Sequence, residues 1–143
     1  MTIPLGERCI KFADRRKNAV VEENKKEFIV RNPKEKLIIA YHVDGCLIKQ
    51  GKCCDYLVII TEDRVAHFIE LKGTDIEKAV EQLNISIDQL LSALKGNKIN
   101  AWIVSSRVKT PAIKSTKIMK LQKKLKQLNG KLEITTNKAI IEV

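Results

Sequence analysis

Between residues 7 and 28 the apolar positions Ile10, Ala13, Val20, Val21 and Phe28 are scattered among polar ones. Their spacing predicts one or two short helices, the best segment being 14–28. Asn32-Pro33 marks a turn. Beyond it the pattern sharpens. Residues 36–42 read as a strand, Asp44-Gly45 as a turn, 46–49 as a brief extension and Gln50-Gly51-Lys52 as a further turn. The run 54–61 is almost continuously apolar, and 65–72 forms a second strand after the polar turn Glu62-Asp63-Arg64.

The period then changes from two to between three and four. Ile76, Val80, Leu83, Ile87, Leu90 and Leu94 share one side of a helix. Thr74 or Asp75 can cap it, Glu77 completing a capping box if Thr74 is the cap, and Gly96-Asn97 stop it. Residues 99–105 read as a buried strand. Pro111 suits the entry to a second helix over 113–128, with Ile118, Leu121, Leu125 and Leu128 on one stripe and Asn129-Gly130 at its end. Segments 132–136 and 138–143 suit a short terminal hairpin. The order of elements predicts an α/β fold, a mixed central sheet with helices on both faces. In such a sheet the strands 54–61 and 99–105 lie at the centre, which accounts for their apolar character.

At 143 residues the chain fits one domain, residues 1–143. It has no run of 18 apolar residues, so no membrane span is expected, and its first residues lack the apolar stretch of a signal peptide. A cytoplasmic location is the expectation. In that setting Cys9, Cys46, Cys53 and Cys54 are expected as core thiols rather than a disulfide framework. With His42, the last three lack the paired spacing of a zinc site. His42 and His67 are expected as ordinary sheet residues and Trp102 as core.

Charge changes the picture more. Residues 1–94 hold 15 Lys and Arg against 15 acids, whereas residues 95–143 hold 12 against 2, which accounts for the whole net charge of +10. A basic C-terminal part from about residue 95 points to a polyanion, most simply DNA. RNA carries the same phosphates, so charge alone does not choose between them. Arg107, Lys109, Lys114, Lys117, Lys120 and Lys124 are the candidate phosphate contacts.

The candidate chemistry lies earlier. Counting outward from a turn near residue 63 sets Asp55 almost opposite Glu70 on the paired strand. Glu70 and Lys72 are two apart and share a face, while Leu71 points the other way. Two opposed carboxylates resist joint ionisation unless a cation lies between them. Mg2+ or Mn2+, which take oxygen ligands, meet that need, with the Leu71 main-chain carbonyl as a third donor. Lys72 is expected to orient an attacking water and stabilise charge. Gln82, on the following helix, can hydrogen-bond a phosphate or that water. On the expected N-terminal helix, Glu22 or Glu23 can supply a further acid. Asp44 is placed at a turn elsewhere on the sheet rim.

Asp55, then Glu70-Leu71-Lys72 after a hairpin, then a helix carrying Gln82, resembles the PD-(D/E)xK nuclease superfamily, which includes restriction endonuclease-like enzymes and junction resolvases. The resemblance implies an α-β-β-β-α-β core over residues 14 to 106. It also implies metal binding by Asp55 and Glu70 and the lysine role for Lys72. The motif's proline is replaced by Cys54, and Ser86 stands where a tyrosine often follows the glutamine. The implied function is metal-dependent hydrolysis of phosphodiesters in DNA, branched or junction DNA included. A resolvase would act as a homodimer. The alternative is a non-catalytic nucleic-acid-binding or structural protein on the same fold.

Overall fold

Strand character begins earlier in the chain than the spacing of apolar residues predicts. The computed structural model describes residues 3–71, 75–107 and 115–143. Where a helix is expected over 14–28, the chain forms β1 (Ile10–Asp14), β2 (Asn18–Glu23) and β3 (Lys26–Arg31). Taken at period two, Ala19 and Val21, then Phe28 and Val30, fall on one face, and all four are buried. Asn24 and Lys25, both at positive φ (49° and 63°), make the two-residue loop between β2 and β3.

The next strands are β4 (Ile38–His42), β5 (Tyr56–Ile60) and β6 (Val65–Glu70). The expected extension over 46–49 is turn, with only an isolated bridge between Asp44 and Ile48. Helix α1 (Ile76–Leu90) follows, capped by Asp75, whose carboxylate accepts from the Lys78 amide at 3.2 Å. Thr74, the other expected cap, lies outside the described residues. A 3-10 turn over Leu91–Leu94 and Gly96 at φ +86° end the helical stretch. Then come β7 (Lys98–Ser105), α2 (Thr116–Gln127, capped by Ser115), β8 (Leu132–Thr136) and β9 (Lys138–Glu142). Pro111 falls outside the described residues.

Six strands form a mixed sheet in the order β1-β4-β5-β6-β7-β8. The pairs from β1 through β6 are antiparallel, and β6–β7 and β7–β8 are parallel. Strands β2, β3 and β9 form a separate sheet. The expected terminal hairpin does not form, since β8 pairs with β7 and β9 with β3. Only Asn137 separates them. It sits at φ +63° and ties the two sheets, its amide donating to Ser105 and its carbonyl accepting from Glu27.

Among the described residues, helices cover only one face of the six-stranded sheet. Ile76, Val80, Leu83 and Ile87 of α1 and Ile118, Leu121 and Leu125 of α2 pack in one cluster with Leu57, Phe68 and Ala101. The opposite face is closed by the small sheet, whose Val21, Phe28, Val30 and Ala139 meet Tyr56, Val58, Ile69 and Leu71. The physical reason lies in β2 and β3, whose apolar side is wide enough to do the work expected of a helix. Cys9, before β1, is disulfide-bonded to Cys46 in the β4–β5 connection, with Cα atoms 5.7 Å apart, where free thiols were expected. Such bonds persist in oxidising surroundings or in hyperthermophile cytosol. No helix among the described residues is long and apolar enough to cross a membrane.

Candidate active site

Strands β5 and β6 set the geometry. Their register pairs Tyr56 with Ile69 and Leu57 with Phe68, so one step outward carries the chain to Asp55 and Glu70. Asp55 brackets Glu70. Its amide donates to the Ile69 carbonyl at 3.1 Å, and its carboxylate accepts from the Leu71 amide at 2.8 Å. A carboxylate receiving a backbone N–H is a charge-assisted bond that fixes the side chain at the strand end. Both acids are buried, Asp55 at 5% exposure and Glu70 at 2%. Burying an ionised carboxylate costs several kcal/mol unless charge and hydrogen bonds compensate it. Ile69 and Leu71 point toward the small sheet, so Glu70 projects to the side that α1 occupies. Lys72 lies outside the described residues.

Neighbouring elements converge on the same edge. The Val43 amide donates to the Asp55 carbonyl at 3.0 Å, which extends β4 alongside it. Asp44 is thus on this edge, not elsewhere on the rim, and its carboxylate accepts from the Cys53 thiol at 3.4 Å. Burial, then Asp44, then Glu70 and Asp55 push the Cys53 thiol up to about 11. Cys54 is pushed up further, by burial first, with Glu70 and Asp55 again contributing. Both cysteines are therefore neutral thiols, and both feel the field of the acid pair.

Helix α1 is tied to this edge by Ser86. Its hydroxyl accepts from the Cys54 amide at 2.8 Å and donates to the Gln82 carbonyl at 2.8 Å. Ser86 is wholly buried, and in the sequence it stands out only as a departure from a motif. A serine at a stripe position between Leu83 and Leu90 is the available signal. Gln82 stands one turn nearer the helix N-terminus and is half-buried. No family model, no curated protein and no solved structure matches the chain. The site is therefore read from its own chemistry.

Other expected site residues fall elsewhere. Glu22 and Glu23 are on β2, not on a helix, over the face opposite to α1. The Glu22 side chain shares the outer face of the small sheet with Val20, and its carbonyl accepts from the Tyr56 hydroxyl at 3.4 Å. Among the described residues, no group of three or more His, Cys, Asp or Glu side chains could hold a metal ion. A small hard cation needs fewer, since it takes one or two carboxylates and completes its shell with water and phosphate oxygens. Asp55 and Glu70, with the Leu71 carbonyl, are a donor set of that kind.

The basic residues divide. Arg107 is exposed just after β7, in a loop held by Ser105, whose hydroxyl accepts from the Arg107 amide and donates to its carbonyl. Lys117 is paired with Glu81, with Glu77 at 4.0 Å, and Lys124 with Asp88 and with Asn84 at 2.7 Å. These four partners lie on α1. Lys120, Lys123 and Lys126 of α2 are exposed, Lys120 beside the groove between α1 and α2. Lys109 and Lys114 lie outside the described residues.

Proposed function

We propose that the chain is a divalent-metal-dependent nuclease that hydrolyses phosphodiester bonds in DNA. The observation that carries this reading is the pair of buried carboxylates, Asp55 and Glu70, held at adjacent strand ends with Asp55 locked on the Leu71 amide. Asp55, Glu70 and the Leu71 carbonyl would hold Mg2+ or Mn2+. When bound, such an ion lowers the pKa of a bound water and offsets charge on the phosphate. The chain's own groups do the rest. Asp55 is kept rigid by its amide contact, Lys72 orients the water and stabilises charge, and the Gln82 amide steadies a phosphate oxygen or that water. Arg107 and the exposed lysines of α2 take the flanking phosphates, so binding weakens steeply with salt.

Topology supports the restriction endonuclease-like reading in part. The β4–β5–β6 meander, α1 and the parallel β7 follow the order of three strands, helix and strand that the PD-(D/E)xK resemblance implies. The first helix of that core is not among the described elements, where β1 to β3 stand instead. The alternative is a non-catalytic nucleic-acid-binding protein. It is favoured by the absence, among the described residues, of a cluster of three metal-ligating side chains.

Linear, flapped, single-stranded and four-way-junction DNA, with RNA counterparts, incubated with Mg2+ or Mn2+ separate the two. The nuclease reading expects cleavage that Glu70→Gln lowers by at least about a hundredfold while binding is retained. Cleavage undiminished in Glu70→Gln would sink the site. Binding without cleavage of any substrate would select the alternative.

A further inference from the structure

The outer face of the small sheet carries an ordered pattern that no described residue covers. Strands β2, β3 and β9 alternate, with Ala19, Val21, Phe28, Val30 and Ala139 buried inward. The residues between them point outward. In register across the three strands, Val20, Ile29 and Ile140 make one apolar row. Ile140 is 45% exposed, one of two large apolar side chains exposed among the described residues.

On one side of that row lie Glu22, Glu27 and Lys138, and on the other Asn18, Arg31 and Glu142. Lys138 reaches Glu27 at 4.0 Å. Glu22 and Glu27 are direct cross-strand neighbours of like charge, an arrangement that costs stability unless a cation approaches them.

We infer that this face is the contact between two copies of the chain, related by a twofold axis running along the apolar row. That axis lays Val20, Ile29 and Ile140 over the same row of the partner. It also reverses the strand direction between copies, which sets Glu27 opposite Arg31 of the partner subunit and Lys138 opposite Glu142 of the partner subunit. Glu22 then meets Asn18 of the partner subunit, and the Glu22–Glu27 pair gains a second cation beside the Lys138 of its own face. An axis along the strands instead sets Glu27 on itself and Arg31 on itself, which repels at both places. The charge pattern therefore selects one orientation of the isologous contact as well as its occupant. Three strands at about 4.8 Å spacing and five residues at about 3.3 Å rise span roughly 14 by 17 Å. This lies below a standard interface of about 800 Å² per partner, so the dimer is weak and concentration-dependent. The inference does not rest on the nuclease reading.

Sedimentation of the full chain over a concentration series tests it, with thermal unfolding as a control for folding. The wild type is expected to pass from monomer to dimer with rising concentration. Ile140→Lys, on an exposed edge position, is expected to abolish association with its melting temperature unchanged. Arg31→Glu and Glu27→Arg should each weaken association at least about tenfold, and the double variant Glu27→Arg/Arg31→Glu should restore it. A chain monomeric at every concentration overturns the inference. So does a dimer indifferent to Ile140→Lys, or a double swap that fails to rescue.

Discussion

At the scale of single residues, His67 shows how burial sets chemistry in this chain. It sits at 5% exposure on β6, with its Nδ1 accepting the indole N–H of Trp102 at 2.9 Å and the Phe28 ring 5.6 Å away. Burial, with Lys98 adding to it, holds the imidazole down to about 4. In the unfolded chain it titrates near 6.5. As pH falls, the unfolded chain takes up the proton first. The stability owed to a neutral His67 is thus complete above about pH 6.5, declines through the window down to 4, and is lost below it, by roughly 3 kcal/mol. Urea unfolding followed through Trp102, the single tryptophan, should show that decline. A His67→Leu variant should lack it over the same window. An equal decline in both would assign the effect to other groups. The sequence marks His67 and Trp102 as sheet residues. Their contact depends on β6 and β7 pairing in parallel, which no local pattern encodes.

Asp55 and Glu70 were legible for the opposite reason. They are joined by a tight hairpin, and a hairpin's register follows from counting. Glu22 and Glu23 were not, because their place depends on which face β2 covers. Asp44 reaches the edge only through the β4–β5 connection, whose path depends on the burial of Ile48 and Cys53 as well as on the turn at Asp44-Gly45.

Among elements, the end of α2 makes the sharpest demand. Asn129 turns left-handed at φ +64°, and the Gly130 amide donates to the Leu125 carbonyl at 2.8 Å. A Cβ on Gly130 would lie 1.6 Å from the Ile99 carbonyl oxygen, so glycine is required by close approach to β7. The same approach lets the Asn100 side chain accept from the Lys131 amide at 3.0 Å. Gly130→Ala is expected to destabilise the fold by about 3 kcal/mol or more, since backbone must move on both sides. Denaturant unfolding checks this, and a loss below about 0.5 kcal/mol would show that the turn adapts. Asn129-Gly130 was readable as a helix stop from chemistry alone. The tightness of the approach was not, because it comes from β7. Helix α1 is legible in the sequence, since its apolar period and its cap Asp75 are both local. The stretch 14–28 forms strands where helix is expected, because short strands bearing charge on alternate positions resemble weak helix at low apolar density.

Across the molecule, the Cys9–Cys46 bond joins the entry of β1 at one edge of the main sheet to the connection that leads into Asp55. It closes a loop of sequence separation 37. Restricting the unfolded chain over such a loop contributes about 2–4 kcal/mol. Reductant should therefore lower wild-type stability by that amount and leave Cys46→Ala unchanged, as measured by urea unfolding with and without dithiothreitol. A wild type indifferent to reductant would mean that the bond does not form in solution. The charge asymmetry is likewise a property of the whole. Lys117 and Lys124 spend part of their charge on α1, while Lys120, Lys123 and Arg107 remain toward solvent.

By itself the sequence determined what depends on neighbours along the chain. The β5–β6 hairpin, the two amphipathic helices with their stops, the facing of Asp55 and Glu70, and the basic C-terminal part are all local in this sense. Only the tertiary structure decided what depends on distant pairing. It divided the strands between two sheets, put both described helices on one face, separated β8 from β9 at Asn137, joined Cys9 to Cys46 and brought Asp44 and Ser86 to the acid pair. Local preference is settled by backbone sterics and side-chain period within a few residues. The choice among distant partners is settled by which apolar faces bury each other best, and that comparison exists only once the whole chain has met.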